Sequence, residues 1–189
     1  MALRNVIKEG DEVLRKNARE IKRFDERLAE LASDMLETMK ESNGIGLAAP
    51  QVGILKRIFV MNLEDEYAKE GDMIIINPEI VEREGEQENV EGCLSLPGLY
   101  GRVKRPAKLR LKYNNLQGEE CELEAEGLLA TCICHENDHL GGTLFRDKII
   151  GNPFRYDQDG KAIDSVTGEE LSEYSINKTS NSESTNKDA

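Results

Sequence analysis

The segment from His135 to His139 contains both histidines of this 189-residue chain and reads His-Glu-Asn-Asp-His, which fits the pattern H-E-x-x-H. Residues four apart lie on one face of an α-helix, about one turn from each other. Two imidazoles in this arrangement can bind one metal ion, with Glu136 beside them as a general base. The pattern therefore predicts a helix here and favours a hydrolytic metal enzyme over a helix with two ordinary surface histidines.

A catalytic metal site usually has three protein ligands and an open position for water. Because the chain has no third histidine, the third ligand has to be another residue type. Cys93 is the best candidate, since Gly92 precedes it and Pro97 closes its segment, Glu91–Pro97. Together with the two histidines it gives one sulfur and two nitrogen ligands. Acidic side chains are abundant, so a carboxylate remains the alternative third ligand.

A third motif is the segment Gly44–Gln51, which reads Gly-Ile-Gly-Leu-Ala-Ala-Pro-Gln. Its two glycines allow a close approach of the backbone to a ligand, or unusual backbone dihedral angles. Gln51 offers an amide donor without a charge. The alternative interpretation is a glycine-rich turn that ends the preceding helix.

Two helices are predicted from hydrophobic spacing. Apolar residues recur at steps of three and four from about Asp25 to Lys40, which is typical of an amphipathic helix that ends at Asn43-Gly44. A second helix extends from about Gly127 through His139, and Gly141-Gly142 ends it.

Several short strands are predicted between the helices. Arg57–Asn62 and Met73–Asn77 are rich in β-formers, and Pro78 is expected to end the second of them. Lys108–Tyr113 and Glu120–Glu126 alternate polar and apolar residues, which predicts a β-hairpin with one buried face. The order of elements predicts an α+β fold, in which mainly antiparallel sheets wrap around the metal-binding helix.

The net charge of -12 argues against long-range attraction to nucleic acid or to an anionic membrane surface. No stretch has the length needed to span a bilayer, and the first residues do not form a secretory leader, so we expect a cytoplasmic protein with reduced thiols. Cys132 and Cys134 are expected to be apolar filler in the second helix.

The three motifs together resemble those of the peptide deformylase family, whose marks are G-x-G-x-A-A-x-Q, E-G-C-x-S and H-E-x-D-H in this order. The resemblance covers about Val6 to Ile150 and predicts a catalytic domain in residues 1–150. Residues 151–189 form a C-terminal extension outside it, which we expect to be disordered at least from about Ser172, because polar residues dominate there.

The resemblance implies an enzyme that removes the formyl group from the N-terminal formyl-methionine of new polypeptides and releases formate. Its metal ligands match Cys93, His135 and His139, and water completes the coordination. The metal is ferrous iron by this resemblance, with zinc, nickel or cobalt as alternatives. Formyl-methionyl nascent peptides are the expected partners. Transient ribosome association is a further expectation, and the basic residues between Arg102 and Lys112 are one candidate surface for it.

The resemblance also assigns roles in catalysis and substrate binding. Glu136 matches the acid/base, which takes a proton from the metal-activated water that attacks the formyl carbon and delivers it to the leaving amine. Gln51 and the backbone N–H of Leu94 match the donors that stabilise the oxyanion. Gly46 matches a backbone contact to substrate. By analogy, the methionine pocket is lined by four further residues: Ile45, Leu128, Thr131 and Cys132.

The chain departs from the family pattern at three positions. Cys134 stands before the first metal-binding histidine, where Gln is frequent, so a polar contact to the metal site has to come from elsewhere. Thr131 stands where Arg or an aliphatic residue is frequent, and Tyr100 where some members have Arg. None of these positions is an expected metal ligand.

Two other functions remain alternatives at this point. An H-E-x-x-H endopeptidase would leave the Cys93 and Gln51 segments without a purpose. A metal-binding module without catalysis would close the site with a fourth ligand, for which Cys132 or Cys134 is the candidate.

Overall fold

Two antiparallel sheets and two α-helices form the part of the chain that the computed structural model describes, residues 2–64 and 69–176. With strands numbered in chain order, the first sheet has the order β1-β2-β3-β6-β7 and the second β4-β5-β8-β9. The strands of the first sheet are β1 (Gly46–Ala48), β2 (Ile58–Glu64), β3 (Lys69–Glu84), β6 (Lys108–Asn114) and β7 (Glu120–Glu126). Those of the second are β4 (Gln87–Cys93), β5 (Leu96–Arg105), β8 (Ile149–Tyr156) and β9 (Ala162–Asp164).

Helix α1 (Glu26–Glu41) confirms the predicted amphipathic helix to within one residue at each end. The Asp25 side chain accepts a hydrogen bond from the backbone N–H of Leu28 at 3.1 Å and so caps the first turn. The apolar stripe, which includes Leu28, Met35 and Met39, is buried and contacts the β1–β2 edge of the first sheet.

Helix α2 (Gly127–Leu140) confirms the second predicted helix and lies between the sheets. It contacts β1, β2, β6 and β7 of the first sheet and β5 of the second, and most of its length is buried. A helix buried on nearly all sides can present polar groups only where other segments supply partners for them. This central position, with sheets around it, confirms the predicted α+β fold.

Pro78 does not end its strand, contrary to the prediction. Strand β3 continues to Glu84, and its register with β6 shifts between Ile76 and Glu79. Asn77 adopts a positive φ of 51° at this shift, and its side chain bonds both the N–H and the C=O of Ile21 at 2.8 Å. An irregularity of this kind tolerates a residue that lacks an N–H, so a proline need not terminate the sheet.

Strands β6 and β7 form the predicted hairpin, with Leu111 opposite Leu123 on the buried side. On the exposed side, Lys108 pairs with Glu126 at 3.0 Å and Lys112 with Glu122 at 3.3 Å. The basic residues of this hairpin therefore face acidic partners across the strands, as expected for a solvated sheet face.

Residues beyond Ile150 extend the second sheet. Strand β8 pairs with β5, and β9 pairs with β8. Residues 172–176 were expected to be disordered, but Ser172–Tyr174 form a 3-10 turn and the Tyr174 ring stacks on Phe154. The rest of the predicted disordered tail, residues 177–189, lies outside the described residues. No described helix is long and apolar enough to cross a membrane.

Candidate metal centre and substrate cavity

Cys93, His135 and His139 converge at the point where the end of β4 meets α2. Each offers one ligand atom, and these atoms all lie within 4.8 Å of one another. The Cys93 Sγ is 3.4 Å from His139 Nε2, and the two imidazole centroids are 5.0 Å apart. One sulfur and two nitrogens at this spacing suit a first-row divalent cation.

A buried ion-pair network fixes the orientation of His135. Its Nδ1 lies 2.8 Å from Glu91 Oε2, and Arg105 bonds both Glu91 oxygens, at 2.7 and 2.9 Å. Although burial raises the pKa of Glu91, the hydrogen bonds from Arg105 and His135 lower it to about 2. The ionised carboxylate keeps a proton on Nδ1, which leaves Nε2 of His135 for the metal.

Arg105 and Glu91 are functional residues that the sequence interpretation missed. Arg105 was counted with the basic residues of an exposed face, but it is only 4% exposed and also donates to Asp138 Oδ2 at 2.6 Å. Glu91 precedes the ligand Cys93 by two positions in β4, so the period of two along a strand was an available signal. Asp138 likewise follows His135 by three positions on α2.

His139 has a different environment from His135. Its Nδ1 is buried and has no hydrogen-bond partner among the described residues. Burial holds the pKa of His139 well below its usual range. It is therefore a neutral imidazole, the form that binds metals.

Glu136 lies beside the ligands and is 4% exposed. Its Oε2 is buried without a hydrogen-bond partner in the described part of the chain. Burial raises the pKa of Glu136 to about 7, because the low-dielectric surroundings disfavour its charged form. A carboxyl group with this pKa and a free oxygen can both accept and return a proton near neutral pH.

Gln51 is buried and held at both ends of its amide. Its Oε1 accepts from the Ala48 N–H at 2.9 Å, and its Nε2 donates to Ser95 Oγ at 3.1 Å. The same Nε2 lies 3.5 Å from Cys93 Sγ, which places an uncharged donor beside the metal site. Gln51 reaches this position because it lies in the 3-10 turn Ala49–Val52, which follows β1 directly.

Leu94 lies in the two-residue turn that connects β4 and β5, next to Cys93. The N-terminal segment holds this turn: Lys8 Nζ donates to the Leu94 carbonyl at 2.8 Å, and the Glu9 N–H donates to the Ser95 carbonyl at 2.9 Å. These two bonds fix the backbone that carries the Leu94 N–H.

A cavity of about 710 Å³ opens from these groups. Gly46, Thr131 and Cys132 line it, and so do three of the six exposed large apolar side chains of the described residues, which are Ile45 (48% exposed), Leu128 (44%) and Val90 (41%). Exposed apolar side chains around one opening indicate a binding surface for an apolar group. All the predicted pocket residues thus border one cavity, and Val90 is an addition to them.

Thr131 and Cys134, two departures from the family pattern, have different environments. Thr131 Oγ1 accepts from Asn89 Nδ2 at 2.8 Å and from Gln87 Nε2 at 3.2 Å, so its hydroxyl is anchored to β4. Cys134 is buried in an apolar cluster, and burial raises its pKa to about 11. Among the described residues, neither Cys132 nor Cys134 joins the group of three ligand atoms. Glu91 supplies the polar contact to His135 for which Cys134 is unsuited.

Comparisons with known proteins agree with this geometry. The family model described as polypeptide deformylase matches residues 3–153. A peptide deformylase of Clostridium botulinum is 55% identical over 148 residues, which cover 78% of this chain and 97% of that protein. The crystal structure of a peptide deformylase from Thermotoga maritima is similar with a TM-score of 0.76 and 41% identity, covering 80% of this chain and 100% of that chain. The one from Legionella pneumophila has a TM-score of 0.75 and 44% identity, with 79% and 87% covered. The resemblance seen in the motifs is confirmed.

Proposed function

Because the chain belongs to the peptide deformylase family, we propose that it hydrolyses the N-formyl group of formyl-methionyl peptides and releases formate. The observation that carries this proposal is the convergence of one thiol and two imidazoles with an unpaired Glu136 carboxyl at the end of an apolar-rimmed cavity. An endopeptidase of the H-E-x-x-H type would not account for Cys93 and Gln51 at the same point.

A divalent metal ion fits the three ligand atoms. Cys93, His135 and His139 would hold it, and Glu91 would keep His135 in the required tautomer. Such an ion supplies Lewis acidity, which activates water and polarises a carbonyl oxygen. We propose ferrous iron as the native metal, with zinc, nickel or cobalt as substitutes, since one ligand set accepts several metals.

Glu136 acts as the general acid/base. Its unpaired oxygen accepts the proton of the attacking water, and the same oxygen returns it to the amine that leaves when the formamide C–N bond breaks. Burial keeps bulk water from competing for this proton, and it also raises the pKa of the carboxyl to about 7.

Gly46 keeps space for the Glu136 carboxylate. A Cβ at Gly46 would lie 2.4 Å from Glu136 Oε1 and 3.0 Å from Cys132 Sγ, closer than non-bonded atoms approach. We predict that Gly46→Ala lowers kcat by about 10²-fold, because the carboxylate has to move away from the reacting atoms. Gly141→Ala is the matched control, since a Cβ there meets the Asp138 carbonyl oxygen at an ordinary 3.5 Å. Equal turnover of the two variants would contradict the prediction.

Gln51 and the Leu94 N–H stabilise the negative charge that develops on the formyl oxygen. The Gln51 amide is held by Ala48 and Ser95, so little reorganisation is needed when the charge appears. We predict that Gln51→Ala lowers kcat by about 10²-fold or more while the metal content stays unchanged. Gln117→Ala, in the exposed β6–β7 turn, is the control. Retained turnover in Gln51→Ala would remove this donor from the mechanism.

The apolar residues around the cavity opening can bind the methionine side chain of the substrate. Ile45, Val90 and Leu128 surround its opening, and an unbranched apolar side chain such as methionine can be buried against them. Gly46 permits a close approach of the substrate backbone at the same point.

One assay tests the proposed function. The protein is purified anaerobically with ferrous iron and offered formyl-Met-Ala, unformylated Met-Ala and a longer peptide without a formyl group. Formate release from the first peptide alone supports the proposal. Cleavage of internal peptide bonds would instead support an endopeptidase, and tight metal binding without any turnover would support a metal-binding module.

The cytoplasmic location of the protein and its transient association with the ribosome remain predictions. We propose that the enzyme works in the cytoplasm on nascent peptides. The candidate ribosome surface between Arg102 and Lys112 is not a free basic patch, because Arg102 lies 3.6 Å from Glu88, Lys104 lies 2.7 Å from Glu86, and Arg105 is buried. Any ribosome contact here would have to compete with these ion pairs.

A further inference from the structure

Residues 154–176 are the described part of the C-terminal extension that lies beyond the segment matched by the family model. We propose that this extension builds one wall of the substrate cavity by supporting Tyr100, and that this wall binds the peptide residues that follow the formyl-methionine. The inference rests on the proposed function and deepens it, because it gives the part of the chain beyond the family match a supporting role in substrate binding.

Four aromatic rings connect the extension to the cavity. Tyr100 in β5 lies opposite Phe154 in β8, with ring centroids 5.9 Å apart in a stacked arrangement. Tyr156 contacts the Tyr100 ring edge-on at 4.8 Å, and Tyr174 stacks on Phe154 at 5.2 Å. Three of the four rings belong to the extension, so the position of Tyr100 depends on residues after Pro153.

Tyr100 itself borders the cavity, close to the metal ligands. It is paired with Gly92 across β4 and β5, and a Cβ at Gly92 would lie only 2.9 Å from Tyr100 Cε1. The ring therefore covers Gly92, one residue before the ligand Cys93. It is half-buried and is one of the residues that line the cavity.

The extension is held in place by bonds of its own. Asp164 accepts hydrogen bonds from the N–H groups of Val166 and Thr167 at 2.7 and 2.9 Å. The Leu171 N–H donates to the Ala162 carbonyl at 2.7 Å, and Arg155 Nη1 donates to the carbonyl of Pro97, another cavity residue, at 3.4 Å. These bonds make the extension a fixed support for the β5 side of the cavity.

The aromatic character of Tyr100 determines which peptide side chains the wall can bind. The methionine side chain is assigned to the apolar rim around Ile45 and Leu128, whereas Tyr100 borders the cavity from β5. A half-buried aromatic face can stack on a planar side chain or pack against an apolar one. The wall should therefore prefer peptides with an aromatic residue shortly after methionine.

The test compares formyl-Met-Ala-Ala with formyl-Met-Phe-Ala and formyl-Met-Ala-Phe. We expect kcat/KM of the wild type to be about fivefold higher for at least one phenylalanine peptide, which corresponds to a typical aromatic pair. Tyr100→Leu should remove this preference, and Tyr174→Ala should reduce it through KM. Tyr174→Phe, which keeps the ring, should restore it. Val166→Ala, at an exposed position of the extension, is the matched control.

Binding of the unformylated products Met-Ala-Ala, Met-Phe-Ala and Met-Ala-Phe, measured by calorimetry, gives a second readout that needs no turnover. Tighter binding of an aromatic product to the wild type than to Tyr100→Leu supports the wall, even in a sample without activity. Equal values for all three peptides, or a preference that survives Tyr100→Leu, would overturn it. Absence of formate release from every peptide would contradict the proposed function instead, so the two failures are distinguishable.

Discussion

Glu136→Ala is expected to lower formate release by between about 10² and 10⁴-fold while leaving the metal bound. Glu136 is not among the three converging ligand residues, and its Oε2 is buried without a partner in the described residues. Removing it eliminates the group that moves the proton but leaves Cys93 and both imidazoles in place. The measurement pairs formate release with the metal content of the same sample after gel filtration.

A matched control separates the role of Glu136 from a general effect of losing a carboxylate. Glu30→Ala removes an exposed carboxylate from α1 and should change neither turnover nor metal content. The pKa of the buried Glu136 carboxyl is raised, so the fold does not depend on its negative charge. Its removal should therefore leave the free energy of unfolding nearly unchanged. Loss of metal from Glu136→Ala would contradict the acid/base role and would make this residue part of the metal site.

Arg105→Met is expected to lower the free energy of unfolding by about 3–5 kcal/mol, because it leaves buried carboxylates without their cation. Arg105 bonds both oxygens of Glu91 and also bonds Asp138. Without it the pKa of Glu91 rises, and the hydrogen bond that orients His135 is weakened. Metal affinity should therefore fall by about 10- to 100-fold. Urea unfolding gives the first quantity, and competition with a chelator gives the second.

The neighbouring Arg102→Met is the control for this prediction. Arg102 lies on the same strand, but its ion pair with Glu88 is exposed and 3.6 Å long, so its loss should cost less than about 1 kcal/mol. Glu91→Gln added to Arg105→Met should recover part of the lost stability, because it removes the charge that Arg105 neutralises. Similar unfolding free energies for the two single arginine variants would show that the buried network does not stabilise the fold.

The periodicity of apolar residues was sufficient to predict the bounds of those helices and strands that bury only one face. The stripe of α1 and the alternation of β6 and β7 gave their bounds to within one residue, because each has one face in the core and one in water. Pro78 misled the strand prediction, because the shift in register that accommodates it depends on Asn77 reaching Ile21, 56 residues earlier in the chain.

Some residues of the candidate site could likewise be predicted from local patterns, and others could not. The three motifs indicated the three candidate metal ligands and the candidate roles of Glu136 and Gln51, since helix spacing and residue type carry that chemistry within short segments. Arg105 was assigned to an exposed face because its neighbours in sequence are basic. Only the pairing of β5 with β4, and its contact with α2, brings its guanidinium between Glu91 and Asp138.

The sequence by itself determined the fold class, the family and the set of candidate reacting groups, because these depend on residue types at short, fixed separations. The tertiary structure decided which carboxylate orients His135, which glycine leaves room for Glu136, and where the chain beyond Pro153 lies. These features arise from contacts between residues that are distant in sequence. Their geometry depends on how the two sheets close around α2, and no local pattern encodes that closure.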